Sequence, residues 1–246
     1  MYERELRVMP SDVSCNGTIK LRNLLNYFQD TAGLAVEDIE GTAAELFSRG
    51  YAWVLSRYEI DFAGKLPALD ETFTIMTYHD PNHGYNTLRC FRVKASDGRD
   101  IITAKTSWLL VDTKAGRPTK PAAHIPGLAQ SNTQAIPSDF TDIPAFDDTE
   151  IAKTIDFPVM FHDLDYNSHV NNAAYFEWVY DGSPVDVMEN ELAKMCASFR
   201  SGARLGENVR LQFSLKDEVS LCRVLRQGVK KPCAEFMCVW RKKERE

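Results

Sequence analysis

Asp163-Leu164-Asp165-Tyr166-Asn167-Ser168-His169-Val170 follows the order of an earlier stretch, Asp12-Val13-Ser14-Cys15-Asn16-Gly17-Thr18-Ile19. Asp12 meets Asp163, Asn16 meets Asn167 and Ile19 meets Val170. Further on, without a gap, Tyr27 meets Trp178 and Asp30 meets Asp181. Both stretches are polar turns that lead into an apolar, aromatic run of helical character. The second copy carries an acid and a histidine, Asp165 and His169, where the first has Ser14 and Thr18.

The elements around the two stretches repeat as well. Residues 2–9 read as a strand. Leu21, Leu24, Leu25, Tyr27, Phe28, Ala32 and Leu34 recur at helical spacing, and the helix ends near Gly33 or restarts through Ala43–Phe47 to Gly50. Runs rich in β-formers follow at 52–62, 72–78, 86–94 and 100–112. After the second turn comes a helix from Asn172, expected through Tyr180 and toward Met195. Strands are expected at 151–160, 196–200, 208–215, 219–226 and 234–240. Two copies of strand, helix and strands imply an α+β fold, each half one helix packed on an antiparallel sheet. The halves are residues 1–115 and 151–246. Between them, 116–150 reads as a linker draped over the surface. The interval Lys114–Glu150 holds five of the eleven prolines, and so long a stretch without elements is unusual inside one domain.

The 246 residues are 44% hydrophobic and 26% charged, which is the composition of a globular protein with ample core material. No apolar run approaches the ~20 residues of a membrane-spanning helix. The N-terminus has neither an apolar signal core nor an Arg/Ser-rich transit pattern, so a cytoplasmic location is expected. The six cysteines form no C-x-x-C pair and read as reduced core thiols. A net charge of −6 argues against non-specific nucleic-acid binding. The basic residues of the C-terminal strands (Arg223, Arg226, Lys230, Lys231, Arg241, Lys242 and Lys243) fit either a charge-protected sheet edge or a dock for an acidic partner.

Two readings of the second turn stand side by side. A carboxylate and a histidine four residues apart suit acid/base or nucleophilic work, with Asn167 orienting a carbonyl or a water. The backbone N–H groups of Val170 and Asn171, at the helix start, would then hold an oxyanion. Alternatively the residues cap their own turn. His162, Asp163, Asp165, Asn167 and His169 follow no standard metal-loop spacing, so neither metal nor cofactor is expected. Glu177 reads as a half-exposed helix position. His79 and His83 read as loop residues, and the four tryptophans as core.

The segment Asp165–Asn172 resembles the D-x-N-x-H-V-N-N motif of the acyl-acyl-carrier-protein thioesterases, the plant and bacterial enzymes that release fatty acids from acyl carrier protein. Leu24–Gly33, Gly50–Arg57 and Thr106–Asp112 are similar to that family too, so the likeness covers nearly the whole chain. It implies two tandem hotdog domains and hydrolysis of fatty acyl-ACP without a cofactor. Asp165 would attack the thioester or activate water, Asn167 would position the carbonyl or water, and His169 would assist proton transfer. The acyl chain would enter the N-terminal hotdog, with Trp53 as a pocket residue. Acyl carrier protein is the implied partner, and because exposed hotdog sheets often pair, a homodimer stays open. One departure stands out in Phe199–Glu207. Gly202 occupies the place where the family often has glutamate, and Ala203 that of a plant cysteine; Glu177 or Glu207 could substitute. The alternatives are an acyl-CoA thioesterase and a non-catalytic acyl-binding hotdog protein.

Overall fold

The computed structural model describes residues 1–39, 41–130 and 133–243. Residues 131–132 of the expected linker, 244–246 of the expected C-terminal half and Glu40 lie outside the described residues. The chain divides into two compact units, Met1–Phe140 and Thr141–Glu246. No described helix is long and apolar enough to cross a membrane.

The first unit runs β1 (Tyr2–Arg7), α1 (Leu21–Leu34), α2 (Ala43–Ser48), β2 (Tyr51–Phe62), β3 (Thr72–His83), β4 (Asn86–Ala95), β5 (Asp100–Asp112) and a short β6 (Arg117–Thr119). The antiparallel order is β1-β3-β4-β5-β2, with β6 on β5. Helix α1 buries Leu21, Leu24, Leu25, Phe28 and Thr31 along one face. Phe28 stacks on Phe91 of β4 at 4.7 Å between ring centroids. Each such side chain taken from water contributes roughly 1.5–3 kcal/mol, so this face fastens the helix to the sheet.

The second unit runs β7 (Lys153–Pro158), α3 (Asn172–Gly182), β8 (Asn190–Phe199), β9 (Asn208–Lys216), β10 (Val219–Arg226) and β11 (Ala234–Lys242). Its antiparallel order, β7-β9-β10-β11-β8, repeats that of the first unit. Phe176 of α3 meets Phe236 of β11 edge-on at 5.2 Å, and Tyr175 meets Phe199 of β8 at 5.6 Å. Each unit thus packs one long helix on a five-strand antiparallel sheet, the α+β arrangement expected, and the first unit adds the short α2 and β6.

Three local expectations are corrected. The helix after the second turn does not run toward Met195. It ends at Gly182, where a Cβ would come within 3.0 Å of Ile155 and Phe213, so the close approach needs glycine. Neither His79 nor His83 is in a loop. Both belong to β3, with His83 at its end and His79 fully buried, its Nε2 donating to the Leu128 carbonyl at 2.8 Å. Cys15 is exposed rather than core, although Cys196, Cys222, Cys233 and Cys238 are buried.

The stretch 116–150 is also less loose than its prolines suggest. Ile125, Leu128 and Ile136 are buried in the first unit. Phe140 lies under the cations of Lys105 and Arg57 at 4.6 and 5.3 Å. In the second unit, Phe146 lies under Arg223 at 4.5 Å, and Asp148 pairs with the same guanidinium. Sparse apolar and aromatic anchors hold the backbone down without regular elements.

Candidate active site

The two repeated turns close with the same backbone bonds. The N–H of Ser14 donates to the Thr18 carbonyl at 3.0 Å, and that of Asp165 to the His169 carbonyl at 2.8 Å. Gly17 and Ser168 both adopt positive φ, 79° and 61°, and donate to the carbonyls of Ser14 and Asp165. Asp12 and Asp163 are buried, and each accepts the N–H three residues before it, from Met9 and Met160, at 2.9 Å. Asp163 therefore serves the fold as Asp12 does in the first copy.

The side chains inside the turns have exchanged tasks. In the first unit Asn16 Oδ1 accepts the Thr18 N–H at 3.1 Å and the hydroxyls of Ser14 and Thr18. In the second unit Asp165 Oδ1 takes over, accepting the N–H of Asn167 at 2.8 Å and of His169 at 3.3 Å. Asn167 Oδ1 is left buried and without a partner among the described residues. The amide that makes three bonds in the first unit has thus given up its capping task in the second. The capping reading holds for one carboxylate oxygen of Asp165, which fastens the turn, while Oδ2 makes no hydrogen bond among the described residues.

The expected oxyanion donors are corrected. The Val170 N–H donates to the Ala203 carbonyl at 2.9 Å and the Asn171 N–H to the Asp163 carbonyl at 2.8 Å. Ile19 and Lys20 make the matching bonds, to Pro67 and Asp12. These are structural pairings that both units need, and they leave neither donor for a ligand. Asn171 instead acts as the N-cap of α3, its Oδ1 accepting the Ala173 N–H at 2.9 Å.

Gly202 has a geometric cause. A Cβ built on it would stand 2.9 Å from His169 Cδ2 and 3.3 Å from His169 Cβ and Cγ. The imidazole lies against the glycine and fills the space a side chain would take. The substitutes proposed for the missing glutamate have other work. Glu207 Oε2 accepts the Arg204 N–H at 3.0 Å, and Glu71 accepts the Ala68 N–H at 2.9 Å in the corresponding loop of the first unit. Glu207 is thus a loop cap. Glu177 is half-buried on α3, one turn before Asp181, whose carboxyl is pushed up by burial and by the charge of Glu177. Trp53 lies on β2, half-buried against Leu46, Leu110, Ile125 and Leu128.

Residues outside the motif complete the surroundings of His169. The Tyr175 hydroxyl accepts the Ala203 N–H at 2.8 Å, and Arg226 Nη1 donates to the Gly202 carbonyl at 3.4 Å. Tyr175 was not singled out from sequence, and Arg226 was read only as one of the basic residues of the C-terminal strands. The counterpart of Arg226 in the first copy can be aligned only once strand registers are known, because that copy carries the additional α2 segment. A cavity of about 330 Å³ lined by Asp217, Glu218 and Trp240 lies elsewhere, at the far end of β10 from Arg226.

The first 125 residues match the family model for the acyl-ACP thioesterase N-terminal domain, and residues 146–233 match that for the C-terminal domain. Among curated proteins, the chain is 22% identical over 218 residues to a chloroplastic palmitoyl-acyl carrier protein thioesterase of Cuphea hookeriana, covering 81% of this chain and 51% of that protein. Against the Arabidopsis thaliana protein of the same name it is 21% identical over 210 residues, covering 79% and 50%. The chain spans about half the length of the curated relatives it matches. Its fold is that of an acyl-ACP thioesterase from Bacteroides thetaiotaomicron (TM-score 0.83, 20% identity, 97% of both chains). It is equally that of the 12:0-ACP thioesterase from Umbellularia californica (TM-score 0.84, 16% identity, 98% of this chain and 97% of the other).

Proposed function

The chain belongs to the acyl-ACP thioesterase family, and from that premise we propose that it hydrolyses fatty acyl-ACP to a free fatty acid and the carrier thiol at the Asp165–His169 turn. The observation that carries this reading is the exchange of hydrogen-bonding tasks between the two turns. It opens one carboxylate oxygen and one amide oxygen in the second unit, where the first unit keeps its amide engaged.

Those two groups fit a water more closely than a carbonyl. Both are acceptors, and water brings two hydrogens to them while a thioester carbonyl brings none. Asp165 Oδ2 takes the proton as the water oxygen adds to the thioester carbon, and Asn167 Oδ1 holds the second hydrogen. As the tetrahedral adduct collapses, the C–S bond breaks and the thiolate leaves with a proton from His169. A thioester carbonyl is reactive enough for one positioned base and one acid to suffice. Acyl carrier protein is the partner this reading requires.

The test is hydrolysis of matched acyl-ACP and acyl-CoA panels by the purified protein. Asp165→Asn keeps an oxygen to accept both N–H bonds, so it separates chemistry from capping. We expect Asp165→Asn to fold like the parent and to lose at least about a hundredfold in turnover. Parental rates in the folded variant overturn the assignment, and hydrolysis of acyl-CoA alone would move the substrate class.

A further inference from the structure

The two units provide an internal comparison, because strand registers match residues that sequence alone does not. Tyr2 pairs with Thr77 and Lys153 with Phe213, so β3 corresponds to β9. Phe73 pairs with Ala95 and Val209 with Arg226, which matches Ala95 to Arg226. Ile19 donates to Pro67 and Val170 to Ala203, which matches Leu66 to Gly202. The ungapped helices match Leu24 to Tyr175. Five positions therefore change together between the copies: Ser14 and Thr18 become Asp165 and His169, Leu66 becomes Gly202, Ala95 becomes Arg226, and Leu24 becomes Tyr175.

In the second unit these replacements form one connected group. The His169 ring rests on Gly202. The Gly202 carbonyl accepts from Arg226 Nη1 at 3.4 Å, and the next N–H, of Ala203, donates to the Tyr175 hydroxyl at 2.8 Å. The same Nη1 is 3.6 Å from Glu207 Oε1, which balances the guanidinium charge. Arg226 Nε is buried without an acceptor among the described residues. The described partners of the guanidinium are therefore the Gly202 carbonyl and Glu207, both in the 202–207 loop beside His169.

We propose that Arg226, with Tyr175 as a second clamp, is a positioning residue for His169. It fixes the 202–203 backbone on which the imidazole lies, and so sets the direction from which His169 delivers its proton. This rests on the function proposed above, but the geometry can be tested without turnover. The full chain carrying labelled histidine is followed by NMR through a pH titration, and the signal of His169 is identified by its loss in His169→Ala. Acyl-ACP hydrolysis is measured on the same samples.

Arg226→Met keeps the apolar stem and removes the donors. It is expected to displace or broaden the His169 signal and to lower kcat about tenfold, with KM within about twofold. Arg226→Lys, which retains a cation and donors, recovers part of both. Arg210→Gln, on the opposite face of the neighbouring strand β9, changes neither. Should Arg226→Met fail to fold, Tyr175→Phe and Arg226→Lys carry the same two readouts. An unchanged His169 signal in the folded Arg226 and Tyr175 variants overturns the proposal, as does parental kcat. A parent protein that hydrolyses no thioester refutes the function while the NMR result still decides the positioning.

Discussion

Replacing Gly202 by alanine puts the geometry around His169 under direct load. The new Cβ starts 2.9 Å from His169 Cδ2 and 3.3 Å from its Cβ and Cγ. Carbon atoms settle at about 3.5–4.0 Å, so the ring must withdraw by about 0.6–1 Å at its near edge. The backbone itself accepts alanine, since Gly202 is not among the glycines at positive φ. Overpacking costs about 1–3 kcal/mol, and the stiffer unfolded chain returns about 0.4–1 kcal/mol of that. A net loss of about 1 kcal/mol is expected, small enough for the variant to fold. The catalytic effect should be larger, because a misplacement near 1 Å at a reacting group costs up to about a hundredfold. Acyl-ACP turnover is therefore expected to fall between about 10- and 100-fold, equivalent to about 1.4–2.7 kcal/mol in the barrier. Steady-state hydrolysis at saturating acyl-ACP, paired with thermal melting, reads both quantities. A variant with the parental melting temperature and kcat within twofold would show that the ring's contact with Gly202 has no bearing on the chemistry.

Other outcomes follow from single groups. Burial, and then the charge of Arg89, lower the pKa of His79 from 6.5 to about 4. Between those pH values the unfolded chain binds a proton that the folded chain refuses, so stability falls as pH drops from 6.5 to about 4 and levels off below. The loss approaches about 3 kcal/mol, and urea unfolding across that window should show a shallower decline in His79→Gln; an identical decline would refute it. Glu207→Ala and Glu71→Ala remove the same loop cap from the two units, and each should cost about 1 kcal/mol in thermal or urea unfolding. Abolished turnover in Glu207→Ala with unchanged stability would instead make Glu207 a reacting group. Asp165→Ala, unlike Asp165→Asn, gives up two accepted N–H bonds and should lower the melting point in addition to turnover.

The duplicated architecture was readable from Asp12–Ile19 and Asp163–Val170 because both copies keep the residues that make the turn: a buried aspartate, an asparagine and an apolar residue entering the helix. Strand positions followed from β-branched and aromatic runs, which need no long-range information. What escaped depended on contacts distant in sequence. His79 sits in a segment dense in turn formers, Asp80-Pro81-Asn82, yet the strand continues to His83 by pairing with β4, and the Leu128 carbonyl receives the buried ring N–H of His79. The Pro-rich interval looked loose since Ile125, Leu128, Ile136, Phe140 and Phe146 are too widely spaced to show a period. At the site, Asp165, Asn167 and His169 were visible as a cluster. Which N–H groups were already engaged was not, because the acceptor of Val170 lies at Ala203, beyond an entire helix and strand. Gly202 looked like a missing carboxylate, and only the approach of the imidazole shows why the position is bare.

The turn at Asp165 and its twin at Ser14 have a consequence for the protein's engineering. Backbone bonds close both loops, so the loop behaves as a socket whose contents can be exchanged without rebuilding the walls. The proposed function makes the second copy reactive and leaves the first silent, yet both keep the same closing bonds. The silent copy also shows what grafting requires. Installing Asp and His at positions 14 and 18 would restore the motif, but Leu66 would still occupy the space that the second copy clears with Gly202. Under the proposed function, the residues to be grafted form a set, and the glycine belongs to it alongside the acid and the histidine.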